Sequence, residues 1–115
     1  MAKKLSPITP GEVLLEEFLR PMGISQNQLA RGINVPANRI SQIVRSKREI
    51  SADTALRLGK YFGMEPEFWL NLQVRYNMKI ARMKAGKEIE RDVKVHFSDI
   101  RRRDLSPAQS SSALE

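Results

Sequence analysis

Five polar side chains fall between positions 38 and 45 of this sequence: Asn38, Arg39, Ser41, Gln42 and Arg45. Carboxamides such as Asn38 and Gln42 can pair bidentately with adenine N6 and N7, a guanidinium with guanine O6 and N7, and a hydroxyl with either kind of edge. The set therefore has the chemistry to read bases in a major groove. Ile40, Ile43 and Val44 are interleaved with it. At roughly 100° of rotation per helical residue, turning those three inward places Asn38, Gln42 and Arg45 on the opposite face, with Arg39 and Ser41 flanking them. Gln26 on one side of this stretch, and Lys47 and Arg48 on the other, are placed to hold phosphate oxygens. Contacts of that kind supply affinity and register but carry no sequence information.

Other chemistries are poorly served. The chain has no cysteine, so thiolate metal sites, disulfides and cysteine nucleophiles are all excluded, and His96 is its one histidine. Glu16 and Glu17 form the acidic pair a metal-dependent nuclease would need, but neighbours on a helix point roughly 100° apart and make a poor metal site. No catalytic residue, metal or cofactor is expected, and the chain does not read as an enzyme.

The base-reading face needs elements that hold it steady. Residues 25–48 are read as a helix-turn-helix. Ser25 followed by Gln28 opens the first helix with a capping box. Ala30 falls where the two helices approach closest, Leu29 and Ile33 beside it, and Val35 closes the turn. Asn34 stands where glycine is common, a position that asparagine's tolerance of positive φ allows. Pro36 starts the second helix, which Ile40 and Ile43 hold down.

Three further helices complete the reading. Thr9-Pro10-Gly11-Glu12 is a capping box with proline at the first helical position, followed by Leu14, Leu15, Phe18 and Leu19 on a buried face, until Pro21 and Gly23 end the helix. Ser51 caps a fourth helix with Ala55, Leu58 and Phe62 inward and Gly63 as its stop. A fifth runs from about Pro66 to Lys84 and carries two apolar stripes. Phe68, Trp69, Leu72, Tyr76, Ile80 and Met83 lie on one side, and Leu70, Val74, Met78 and Ala81 on nearly the opposite side. Asn71, Arg75, Lys79 and Arg82 mark a seam between them. A helix with two dry faces needs two neighbours, so a homodimer is expected, with Trp69, Leu70, Val74, Tyr76 and Met78 as candidate interface residues. Beyond Gly86, the alternation of Ile89, Val93, Val95 and Phe97 with charges reads as a short strand or an irregular extension.

Charge supports the assignment. The 115 residues carry a net charge of +7, and the excess sits in residues 1–85, with fourteen Lys and Arg against seven Asp and Glu, while residues 86–115 hold six of each. Between Glu17 and Glu49 there is no acidic residue, only Arg20, Arg31, Arg39, Arg45, Lys47 and Arg48. A one-sign patch spanning the motif is what a polyanion attracts. No apolar run is long enough to span a bilayer and no secretory signal opens the chain, so a cytoplasmic location without a membrane partner is expected. The organisation reads as an N-terminal arm over 1–8, a helix-turn-helix DNA-binding and dimerisation domain over 9–85, a C-terminal extension over 86–104 and a disordered tail over 105–115. The final Leu114 and Glu115 resemble a cloning scar.

The segments ITPGEVLLEEFLRPMGISQNQLA, RISQIV, ISADTALRLGKYFG and PEFWLNLQVRYNMKIA resemble the HigA (VapI-type) antitoxins, helix-turn-helix proteins of the Xre/Cro-like group from bacterial toxin-antitoxin modules. The likeness spans residues 8 to about 81, most distinctively in the first capping stretch and PEFWLNLQ. It implies an all-α fold, a five-helix lambda-repressor-like domain. It also implies two partners: a near-palindromic DNA operator, bound to repress the protein's own operon, and a HigB-type mRNA-cleaving toxin, which the protein neutralises. The alternative within DNA binding is a stand-alone Xre-family repressor with no toxin partner. The resemblance assigns nothing after Gly86.

Overall fold

The computed structural model describes residues 7–96. Among them are five helices and no strand. Helix α1 is one continuous rod made of Pro10–Val13, Leu14–Leu19 and Arg20–Met22; α2 is Gln26–Ile33, α3 Ala37–Val44, α4 Ala52–Phe62 and α5 Glu67–Asp92. No helix of the described residues is long and apolar enough to cross a membrane. The chain divides into two units, Met1–Lys84 and Ala85–Glu115, with the boundary inside α5.

Local chemistry explains where the helices begin. Thr9 Oγ1 accepts the Glu12 N–H at 3.1 Å while Glu12 Oε1 accepts the Thr9 N–H at 2.9 Å, a complete capping box. Ser25 supplies half of one, accepting the Gln28 N–H at 3.0 Å, and Ser51 caps α4 through the Thr54 N–H at 3.2 Å. Pro36 is the residue before α3, not its first turn, and its carbonyl accepts the Arg39 N–H at 2.9 Å.

The ends share one device. Gly23, Asn34, Ser46 and Gly63 all have left-handed backbone, with φ of 66°, 59°, 61° and 68°. In each case the next residue's N–H bonds back to the carbonyl five positions before it: Ile24 to Leu19, Val35 to Ala30, Lys47 to Gln42 and Met64 to Gly59. These are Schellman closures, which satisfy carbonyls a helix end leaves orphaned. Asn34 does in the turn of the motif what its sequence position predicted.

The middle of α1 departs from expectation. Leu14–Leu19 is wound as a π-helix, with the Arg20 N–H donating to the Leu15 carbonyl. The wider winding brings residues five apart onto one face, so Leu14 and Leu19 are both buried while Leu15 and Phe18 are half-buried. It also precedes Pro21, whose ring would crowd the carbonyl four residues back in a regular α-helix. The helix runs through Pro21 and stops at Gly23.

The core of the first unit comprises Leu14, Leu19, Leu29, Ala30, Ile33, Ile40, Ile43, Ile50, Ala55, Leu58 and Trp69. Phe18, Phe62 and Phe68 surround Trp69 at ring-centroid distances of 4.9, 6.3 and 5.0 Å. At about 1.5–3 kcal/mol per fully buried large apolar side chain, this cluster is the main favourable term holding the motif. Gly11 packs α1 directly onto the end of α3, since a Cβ there would overlap the Ile43 carbonyl oxygen.

Helix α5 continues past its expected end at Lys84 to Asp92, so Ile89 lies on an exposed helix and not on a strand. Lys87, Glu88, Glu90 and Arg91 are good helix formers, and they outweigh the alternation. Val93 and Val95 follow it in non-regular backbone, both exposed. Phe97, the remainder of the extension and the 105–115 tail lie outside the described residues, as does most of the 1–8 arm.

Candidate nucleic-acid interface

The face opposite the core on α3 is polar and accessible. Ile40 and Ile43 are 0% and 1% exposed, whereas Asn38 and Arg45 are exposed and Arg39, Ser41 and Gln42 are half-buried. Asn38 and Ser41 share an open cleft with Ala37 and with Ser25, Gln26 and Asn27 at the start of α2. Gln26 is thus brought beside two of the base-reading candidates. The charge of Arg39 is felt by Asp53 on α4. Among the described residues, none of Arg31, Arg39, Arg45, Lys47 and Arg48 forms an ion pair; the pairs are Arg20–Glu16, Arg57–Asp53 and Arg91–Asp92. The charges of Arg31, Arg45, Lys47 and Arg48 are therefore unspent and free to meet an anion.

The segment after α3 is tethered at both ends. Ser46 Oγ donates to Thr9 Oγ1 at 2.8 Å, linking it to the start of α1. Four residues on, the Ile50 N–H donates to Gln73 Oε1 at 2.9 Å, linking it to α5. Lys47 and Arg48 sit between these anchors, and Arg48 Nη1 donates to Gln42 Oε1 at 3.5 Å. The residues assigned to phosphate and to base are in contact.

Two positioning residues escaped the sequence reading. Arg57 on α4 donates from Nη1 to the Ile33 carbonyl at 2.8 Å and the Asn34 carbonyl at 3.3 Å, so it clamps the turn of the motif and places a cation at the negative end of α2. Asp53 accepts from Arg57 Nε and orients it. That hydrogen bond is the chief reason the Asp53 carboxyl lies below its ordinary value of 3.8, with smaller Coulombic contributions from Arg57 and Arg39. The Asp53/Arg57 spacing of four on one helix was a readable signal, but only for a surface pair. Gln73 is the other. It is 7% exposed, and its Nε2 donates to Asn77 Oδ1 at 3.1 Å. A polar residue amid two apolar stripes was the available signal.

Comparison with known proteins accords with this geometry. A family described as helix-turn-helix matches residues 15–69. Virulence-associated protein I of Dichelobacter nodosus is 50% identical over 78 residues, covering 68% of this chain and 72% of its own. The structure of an addiction module antidote protein of the HigA family from Coxiella burnetii superposes with a TM-score of 0.76 at 50% identity, covering 80% of this chain and 100% of that one. The chain belongs to the HigA antitoxin family. A second HigA, from Pseudomonas aeruginosa, was solved with the higBA promoter; it is 45% identical, with a TM-score of 0.76 over 79% of this chain and 99% of its own. HigA proteins are helix-turn-helix DNA-binding antitoxins and transcription regulators, not enzymes.

Within this HigA-family chain, α5 divides the candidate interface residues. Trp69 is 0% exposed and belongs to the core of its own chain, which removes it from the candidates. Leu70 and Tyr76 are half-buried, while Val74 and Met78 are exposed at 56% and 45%. Val74, Tyr76 and Met78 line a groove with Ile8, Val13 and Leu72, rimmed by Arg75, Lys79 and Arg82. Met83, on the same stripe as the buried Trp69, is exposed.

Proposed function

We propose that this protein is the antitoxin of a type II toxin-antitoxin module: it represses its own operon by sequence-specific DNA binding and neutralises a HigB-type mRNA-cleaving toxin. The observation that carries the reading is the polar, accessible face of α3, held on a buried apolar face and flanked by unpaired cations, in a chain 45% identical to a HigA solved with its promoter. Asn38, Ser41, Gln42 and Arg45 read base edges, with Arg39 flanking; Gln26, Lys47 and Arg48 hold phosphates. The working unit is a homodimer joined through the exposed stripe of α5 around Val74 and Met78. Two recognition helices then enter successive major grooves about 34–36 Å apart on a near-palindromic operator. Relatives that carry antitoxin names favour this reading over a stand-alone repressor. Co-expression with the adjacent reading frame tests it: growth rescue together with co-purification is the expected result, and toxicity unrelieved by a folded, soluble partner overturns the toxin assignment.

A further inference from the structure

The contact between Arg48 and Gln42 bears on which base Gln42 can read. A guanidinium has five donors and no acceptor, so the end of the Gln42 carboxamide that faces Arg48 Nη1 at 3.5 Å must be its oxygen. With the oxygen turned toward Arg48, one of its two lone pairs is taken and the amide nitrogen is the end turned away from Arg48. Bidentate pairing with adenine needs both ends, the oxygen to accept from N6 and the nitrogen to donate to N7. A donor alone suits acceptor edges, of which guanine, with N7 and O6, offers the most.

The backbone that carries Arg48 is held at both ends. It lies between the Ser46 to Thr9 hydrogen bond and the Ile50 to Gln73 hydrogen bond, and the Lys47 N–H closes onto the Gln42 carbonyl at 2.8 Å. The chain is thereby folded back over the end of α3. We propose that Arg48 is a specificity-determining positioning residue, which fixes Gln42 as a hydrogen-bond donor and biases its base pair away from adenine toward guanine. The inference rests on the reading of Gln42 as a base contact, and adds a task to Arg48 beyond holding phosphate.

Selection from a random-sequence duplex pool tests it, with the wild type, Gln42→Ala, Arg48→Ala, Arg48→Met, Lys47→Ala and the double variant Gln42→Ala/Arg48→Ala compared. Arg48→Met retains the apolar bulk of the side chain while removing every donor. Lys47→Ala shows what loss of a phosphate contact alone does: all sites weaken alike. Gln42→Ala should flatten the preference at one base pair of each half-site. At that same base pair Arg48→Ala and Arg48→Met should shift the preference toward adenine by about fivefold or more, the lower end of what one bidentate pair discriminates. The shift should vanish in the double variant. If both Arg48 variants weaken all sites alike while Gln42→Ala still flattens its base pair, the positioning role is overturned and the base-reading assignment stands. If Gln42→Ala leaves every preference as in the wild type, that assignment fails and the inference with it.

Discussion

The side-chain oxygen of Gln73 accepts the backbone N–H of Ile50 at 2.9 Å in a site closed to solvent, joining the middle of α5 to the segment that follows the recognition helix. Ile50 is 2% exposed and Gln73 is 7% exposed, so neither group can exchange this bond for one with water. Buried N–H groups are almost always paired, and here the partner is a side chain 23 residues away.

Removing that partner should therefore cost more than an average polar substitution. Gln73→Ala leaves the Ile50 N–H orphaned, and a loss of about 1–3 kcal/mol in urea unfolding is expected. Asn77→Ala, which touches only the exposed end of the same network, should cost well under 1 kcal/mol. Equal losses would show that the Ile50 N–H does not depend on Gln73.

Asp53 and Arg57 give a pH dependence with a definite sign. The Asp53 carboxyl titrates below its ordinary value of 3.8, chiefly because Arg57 donates a hydrogen bond to its ionised form. Above the ordinary value both folded and unfolded chains carry the carboxylate, and the interaction contributes in full. As the pH falls the unfolded chain takes up the proton first, and the contribution is gone once the pH has passed below the folded value. The stability gap between wild type and Asp53→Asn should thus be constant near neutrality and close below about pH 4. Because the pair is solvent-exposed the gap should be small and should shrink in salt. Arg57→Ala should cost more at every pH, since it also strips the Ile33 and Asn34 carbonyls of their donor; thermal melts from pH 2 to 7 distinguish the two.

What the sequence made legible was decided within a few residues. Thr9 with Glu12, Ser25, Ser51 and Asn34 mark helix starts and the turn because a cap bonds to a backbone group three to five positions away. Ile40 and Ile43 fix the face of α3 by rotation alone. The groove-facing candidates could be named from that rotation, but not the contacts that orient them. Arg57 reaches Ile33 across 24 positions, and Ser46 reaches Thr9 across 37. No local pattern encodes such pairs. The π-winding of α1 was hidden for a related reason: Leu14, Leu15, Phe18 and Leu19 satisfy an α-helical face equally well, and only packing chooses between them. The extension of α5 to Asp92 went the other way, since intrinsic propensity decided a stretch where apolar alternation suggested a short strand or an irregular extension.

The two sides of α5 should respond differently to charge. Val74→Asp and Met78→Asp place a carboxylate on the exposed groove, and are expected to halve the mass seen by light scattering at tens of micromolar while the far-ultraviolet circular dichroism stays unchanged. Trp69→Ala empties the aromatic cluster of Phe18, Phe62 and Phe68 and should cost about 3–5 kcal/mol. A wild type that is monomeric at those concentrations would remove the groove from consideration as a dimer interface.

Reading and holding should also separate on the recognition surface. Asn38 is exposed beside Ser41 and Gln26, in the cleft where α2 and α3 begin. Asn38→Ala should lose about 1–3 kcal/mol on the selected operator with little change on unrelated duplex, because a base-edge pair carries discrimination. Lys47→Ala should weaken both alike. If each subunit neutralises three or four phosphates, the dimer's log affinity should fall against log salt with a slope of about −5 to −7. Lys47→Ala should make that slope shallower by about one unit per subunit. Neither side chain is part of the core, so folding should be unaffected. If the surfaces for operator and toxin are distinct, both variants should still rescue growth from the toxin while a reporter under the operator is derepressed. Loss of rescue by a folded Asn38→Ala protein would mean instead that the toxin covers the start of α3, and that the antitoxin cannot hold DNA and toxin through the same subunit at once.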